Sequence, residues 1–284
     1  MHVYDSRVGS DPLRIETGRT SSYRIETLDA AAELTRLEAQ VRLVAQMELP
    51  ALRNAGLSPT AHLLDLGCGP GFFAELAAVE LVPEGRVTGV DVDGALLEPA
   101  RARSAERESA IEYVLASGVD IPLPDHAVDF AYARFLFQHL DRPMDVLAEM
   151  RRVVRPGGVV MVMDTDDAGL LVHPEPPGWR ELLEAAAASQ RDRGGDRRVG
   201  RRLRGMLADA GLRDVRASAR ILTTDHVPPA AFVHVTTAFK TEGLDTRYVD
   251  PAAAEDTLNA LREAAARPDF FGHALGYGAW GEVP

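Results

Sequence analysis

Three glycines at alternate positions, Gly67-x-Gly69-x-Gly71, follow the run Leu63-Leu64-Asp65-Leu66 and precede Phe72-Phe73. This order spells strand, tight turn, helix. The leucines form a short apolar run of the buried parallel-strand kind, and glycine lets the backbone turn sharply and approach a ligand with no Cβ between them. A helix starting under such a turn offers unpaired N–H groups and the positive end of its dipole, so a carboxylate, phosphate or ribose-bearing cofactor is the expected guest. Spacing narrows the choice: the dinucleotide fingerprint Gly-x-Gly-x-x-Gly needs glycine at 72, where Phe72 stands. Asp91 closes a second strand-like run, Arg86 to Val90, 20 residues beyond Gly71. A carboxylate at the end of a neighbouring strand can accept hydrogen bonds from both ribose hydroxyls of an adenosyl group. A second candidate pair is His139 and Asp164, 25 residues apart, where an imidazole supported by a carboxylate would take a proton near pH 7. Helix caps and solvated turn acids are the alternative for Asp164.

The eleven-residue run from Leu63 to Phe73, with Asp65 before the glycines and Cys68-Gly69 among them, resembles the first motif of class I S-adenosylmethionine-dependent methyltransferases. The resemblance extends collinearly to Asp164. It includes the amphipathic helix Met144 to Val154, the stop Arg155-Pro156-Gly157-Gly158 and the apolar strand Val159 to Met163. It implies a Rossmann-like, doubly wound α/β sheet of seven strands with helices on both faces. The implied cofactor is S-adenosylmethionine, with S-adenosylhomocysteine as product. Asp65, Gly67, Gly69, Gly71 and Asp91 would hold it, and Val92 would pack on the adenine. Ser117, Gly118 and Val119 match the family's adenine segment, which usually carries Asp where this chain has Ser117. Relatives often cover the cofactor with an N-terminal helix, making Tyr23 and Gln40 candidates for touching it. Arg134 faces either the cofactor carboxylate or a surface acid. Relatives often carry a His-His pair where this chain reads Gln138-His139, which leaves His139 as the one imidazole for a base. An Asn-Pro-Pro-Tyr-like motif is missing, against methylation of base amino groups, and Arg134 stands where metal-dependent relatives carry an acid, so no catalytic metal is expected.

The elements that must position these residues follow from periodicity. Residues 1–22 read as a polar arm, and Asp29 to Leu52 as an amphipathic helix. The expected division is an arm and covering helix over 1–55, then a catalytic domain over 56–284. Helical insertions near 168–200 and 227–267 interrupt that domain. The sheet is expected to close with strands Val215 to Thr223 and Ala274 to Glu282, separated by helices over Ala230 to Lys240 and Ala252 to Ala266.

A formal net charge of -12 and 46% hydrophobic residues fit a globular protein and argue against a nucleic-acid partner. One cysteine excludes an intramolecular disulfide, and neither a signal peptide nor an 18-residue apolar run is evident, so the cytoplasm and no membrane are expected. The partner implied is a small-molecule substrate, with a homodimer admissible. The expected function is methyl transfer to oxygen, nitrogen or carbon of a natural product or similar secondary metabolite. A non-methylating enzyme of the same fold, and a nucleotide-binding module without turnover, are the alternatives.

Overall fold

The computed structural model describes residues 30–107, 109, 111–241 and 244–284, without the side chains of 30–32 and 238–241. Tyr23 and the arm over 1–22 lie outside the described residues. The chain runs α1 (Ala30–Asn54), β1 (His62–Leu66), α2 (Phe72–Glu80), β2 (Arg86–Asp91), α3 (Gly94–Glu106), β3 (Ile111–Leu115) and β4 (Val128–Arg134). It continues through α4 (Pro143–Val153), β5 (Val154–Thr165), β6 (Leu171–His173), α5 (Trp179–Asp192), α6 (Leu203–Asp209), β7 (Arg213–Thr223), α7 (Pro229–Thr241), α8 (Pro251–Ala265) and β8 (Phe271–Glu282).

Strands β3-β2-β1-β4-β5 lie side by side and parallel. β8 runs antiparallel to β5, with β7 antiparallel along its other edge. Alternation along the strands divides the core into two layers. Leu64, Leu66, Ala131, Ala133, Val160 and Val162 face Leu147 and Met150 of α4 and Leu203 and Leu207 of α6. Leu63, Phe130, Tyr132 and Met161 face Leu52 of α1, Phe73 and Ala77 of α2 and Leu97 of α3. Each fully buried side chain of this size contributes about 1.5–3 kcal/mol, so both layers are firmly held. A third apolar cluster joins Trp179 and Leu182 of α5, Phe232 of α7, Leu258 and Leu261 of α8, and Leu222 of β7.

Two expectations need correction. The sheet has eight strands, not seven. The extra one, β6, is three residues long and pairs with the start of β8, too short to leave a period in the sequence. β5 also begins at Val154, not Val159. Arg155-Pro156-Gly157-Gly158 ends the helix and then forms a bulge in the strand. The pairing jumps from Val128↔Val154 to Phe130↔Val159, and Gly157 absorbs the turn at φ 76°.

The strand order reverses at β1. The chain proceeds outward through β2 and β3 on one side and through β4 and β5 on the other, so a crevice opens beyond the carboxyl ends of β1 and β4. The glycine turn and Arg134 both emerge there.

Candidate active site

The glycine turn is held by β2: the N–H groups of Gly67 and Cys68 donate to the Val90 carbonyl at 2.8 and 3.2 Å. Gly71 sits at φ 77°, and a Cβ there would run into the Tyr113 side chain, so only glycine fits. No side chain caps α2, which starts at Phe72 immediately after Gly71. Its first N–H groups are therefore open toward the crevice.

Asp91 accepts from the N–H of Gly69 at 2.7 Å and of Asp93 at 2.9 Å. Each oxygen keeps a lone pair for a further donor. Burial raises its pKa against the opposing pull of those two hydrogen bonds. Val92 is 40% exposed, an apolar side chain uncovered next to this carboxylate. The Ser117 hydroxyl accepts from the Val119 N–H at 3.4 Å, and Gly118 lies against Val146.

Asp65 is 2% exposed, and its Oδ2 has no hydrogen-bond partner. Burial pushes its pKa up to about 7; the Arg134 charge opposes the shift, while Asp91 and Glu48 add to it. The ion pair that Arg134 makes is buried and not at the surface. Its Nε donates to Glu48 Oε1 at 2.6 Å in a buried pair. The Tyr132 hydroxyl donates to the same oxygen at 3.1 Å. Arg134 Nη2 and Glu48 Oε2 are buried without partners. Beside them, Phe135 is held at φ 51° with its N–H donating 2.8 Å to the Met163 carbonyl, and the Arg134 guanidinium stacks 4.8 Å from its ring. A non-glycine residue in that backbone region stores about 1–3 kcal/mol of strain, and here the strain fixes an aromatic ring at the mouth of the crevice.

Glu48, Gln40, Phe135, Gln138, Met163 and Thr165 line one side of a mainly apolar pocket, which α7 and the strands β7 and β8 close on the other. Its empty space, with the open solvent at its mouth included, is about 780 Å³. Gln138 Oε1 and Thr165 Oγ1 are buried there without partners.

His139 and Asp164 are both buried, and neither lines this pocket. Asp164 is fully enclosed; its Oδ2 accepts from the Gln138 N–H at 2.9 Å and its Oδ1 from the Thr165 N–H at 2.8 Å. It thus ties the 3₁₀ turn Phe137–His139 to the end of β5. Its pKa rises to about 7, chiefly by burial. The Gln190 Nε2 group lies 3.0 Å from both the Gln138 carbonyl and His139 Nδ1. The carbonyl can only accept, which fixes the amide as donor and His139 Nδ1 as acceptor. The neutral ring then carries its proton on Nε2.

Sequence reasoning missed Glu48, Thr165 and Arg220. Glu48 left a signal: Val41, Val44, Glu48 and Leu52 share one helical stripe, and a carboxylate on a buried stripe needs a partner.

Residues 64–162 match the family model described as methyltransferase domain. A demethylmenaquinone methyltransferase of Listeria monocytogenes is 31% identical over 125 residues, 44% of this chain and 50% of the relative. A trans-aconitate 2-methyltransferase of Paracidovorax citrulli is 36% identical over 147 residues, 51% of this chain and 52% of the relative. The chain thus spans about half the length of these curated relatives. Among solved structures, phosphoethanolamine N-methyltransferase 2 of Haemonchus contortus in complex with S-adenosyl-L-methionine superposes with TM-score 0.55 at 17% identity, covering 84% of this chain and 53% of that one. The YcgJ protein of Bacillus subtilis gives 0.52 at 15% identity, over 84% and 97%. These two likenesses support the fold. The match to the methyltransferase-domain family model is confined to residues 64–162, and the motif run from Leu63 to Asp164 and the sheet order agree with it.

Proposed function

We propose that the protein transfers the methyl group of S-adenosylmethionine to a small, largely apolar acceptor bound in the pocket between α1, α7 and the ends of β5, β7 and β8. The observation that carries this reading is the set of buried polar atoms without partners around the crevice: Asp65 Oδ2, Arg134 Nη2 and Glu48 Oε2. Such atoms cost free energy unless a ligand satisfies them. Asp65 suits the ammonium of the cofactor's amino-acid end and Arg134 Nη2 its carboxylate, while Asp91 suits the ribose hydroxyls. When bound, the cofactor supplies an electrophilic methyl on a cationic sulfur, which takes back the S–CH₃ electron pair as the acceptor bonds to carbon.

The protein's share is to position the acceptor and exclude water. Phe135 and Glu48 border both the crevice and the pocket, so an acceptor in the pocket lies next to the cofactor end of the sheet. Asp164 fixes the backbone of Gln138 and Thr165, and His139 fixes the turn through Gln190. Both act as positioning residues, and a proton on the acceptor is lost to solvent or to a basic group of the acceptor. The names of the curated relatives support a small-molecule acceptor, and a natural product is the class proposed. Incubation with methyl-labelled cofactor and a library of small metabolites tests the reading by mass. Labelled product accompanied by S-adenosylhomocysteine is expected; retained cofactor binding with no labelled product from any member counts against it.

A further inference from the structure

One wall of the pocket is a row of three residues from three strands. Thr165 of β5 is in register with Gly276 of β8, and Gly276 with Arg220 of β7. Residues in register across adjacent strands project to the same face, so a hydroxyl, a glycine and a guanidinium stand in line. All three line the pocket. The flanking backbones are about 10 Å apart, two strand spacings. A Cβ at Gly276 would meet nothing within 4 Å, so the middle of the row is a notch.

Neither flanking group has a partner among the described residues. Thr165 Oγ1 is buried with no partner, and Arg220 is half-buried with no ion pair or hydrogen bond to any described residue. The lining carboxylates do not answer it, because each already has an arginine. Glu48 pairs with Arg134 at 2.6 Å, Asp166 with Arg201 and Asp167 with Arg197 at 3.5 Å. Among the described residues Arg220 is a charge of the pocket without an ionic partner, and Leu222, Val235, Met47 and Leu170 line the same pocket.

Building on the reading of this pocket as the acceptor site, we infer that the acceptor is an apolar carboxylic acid whose carboxylate seats in the notch at Gly276, paired with Arg220 and accepting from the Thr165 hydroxyl. The planar guanidinium fork matches a carboxylate and does not match a neutral amide of the same shape. The carboxylate acts as the anchor that sets which end of the acceptor points toward Phe135 and Glu48.

Full-length protein saturated with S-adenosylhomocysteine is titrated calorimetrically with 2-naphthoate and with 2-naphthamide, probes of equal shape that differ in charge. The carboxylate is expected to bind about ten- to a hundredfold more tightly, the scale of a charge-assisted hydrogen-bond pair. Arg220→Gln should erase that preference and Arg220→Lys should keep part of it. Gly276→Val should exclude the carboxylate while S-adenosylhomocysteine affinity and the melting temperature stay near wild type. Equal affinities for the two probes, no binding of either, or a preference that survives Arg220→Gln overturns the proposal. Loss of S-adenosylhomocysteine binding by the wild type would instead strike the methyltransferase reading, so the two failures are distinguishable.

Discussion

Asp65 is the carboxylate whose ionisation the fold controls most directly at the cofactor crevice. With its pKa raised to about 7 by burial, the carboxyl is protonated below that pH and must ionise before it can pair with an ammonium. Cofactor affinity should therefore rise about tenfold per pH unit below about 7. It should level above it and fall again near pH 8 as the cofactor's α-amino group loses its charge. In Asp65→Asn the acidic limb should vanish and the affinity be low throughout; a mutant with the wild-type profile would remove Asp65 from the site. The glycines and Asp91 were legible in the sequence because their constraints are local: a positive φ, a turn, a strand end. The row Thr165, Gly276 and Arg220 was not, because strand register across distant segments brings it together and no spacing encodes that.

At the scale of elements, α1 is attached to the sheet by the Glu48–Arg134 pair as well as by its apolar stripe. Removing one partner of a buried ion pair leaves the other charge uncompensated, so Glu48→Gln should cost about 3 kcal/mol of stability, read as a lower midpoint in urea. Unchanged stability would show that Arg134 finds water instead. The 3₁₀ turn Phe137–His139 gives a second test. Asp164→Ala leaves the buried N–H groups of Gln138 and Thr165 without acceptors and should cost about 2–4 kcal/mol. His139→Ala should lower turnover less than about tenfold and leave the pH profile unshifted. A loss of 10²-fold or more confined to the basic role, with the pH limb abolished, would make His139 a general base after all. Most helices were legible from their 3.6-residue period, and the parallel strands from their apolar runs. β6 escaped because three residues carry no period, and the start of β5 because Pro156-Gly157-Gly158 reads as a stop while the strand passes through them as a bulge.

For the whole molecule, the order β3-β2-β1-β4-β5 with β8 and β7 beyond it puts the glycine turn, Asp91 and Arg134 at one crevice and the apolar pocket next to it. The places of the glycine turn and Asp91 followed from collinear motifs, and that of the pocket did not. What the pocket recognises depends on the packing of α1, α7, β7 and β8, segments with little motif content. Arg134 stands at the strand end where an acid would be needed to hold magnesium, so turnover should be unaffected by EDTA; loss on chelation with recovery on added magnesium would make Asp164, Asp166 and Asp167 ligand candidates.

The central claim, that this crevice is built for S-adenosylmethionine, is tested most directly by calorimetric titration of the wild type and Asp91→Ala with S-adenosylmethionine and with NAD. The wild type should bind S-adenosylmethionine at one site and show no heat with NAD. Asp91→Ala should weaken the binding by roughly 1.5–3 kcal/mol, about ten- to a hundredfold. Binding of NAD in place of S-adenosylmethionine, or an affinity indifferent to Asp91→Ala, would contradict the account.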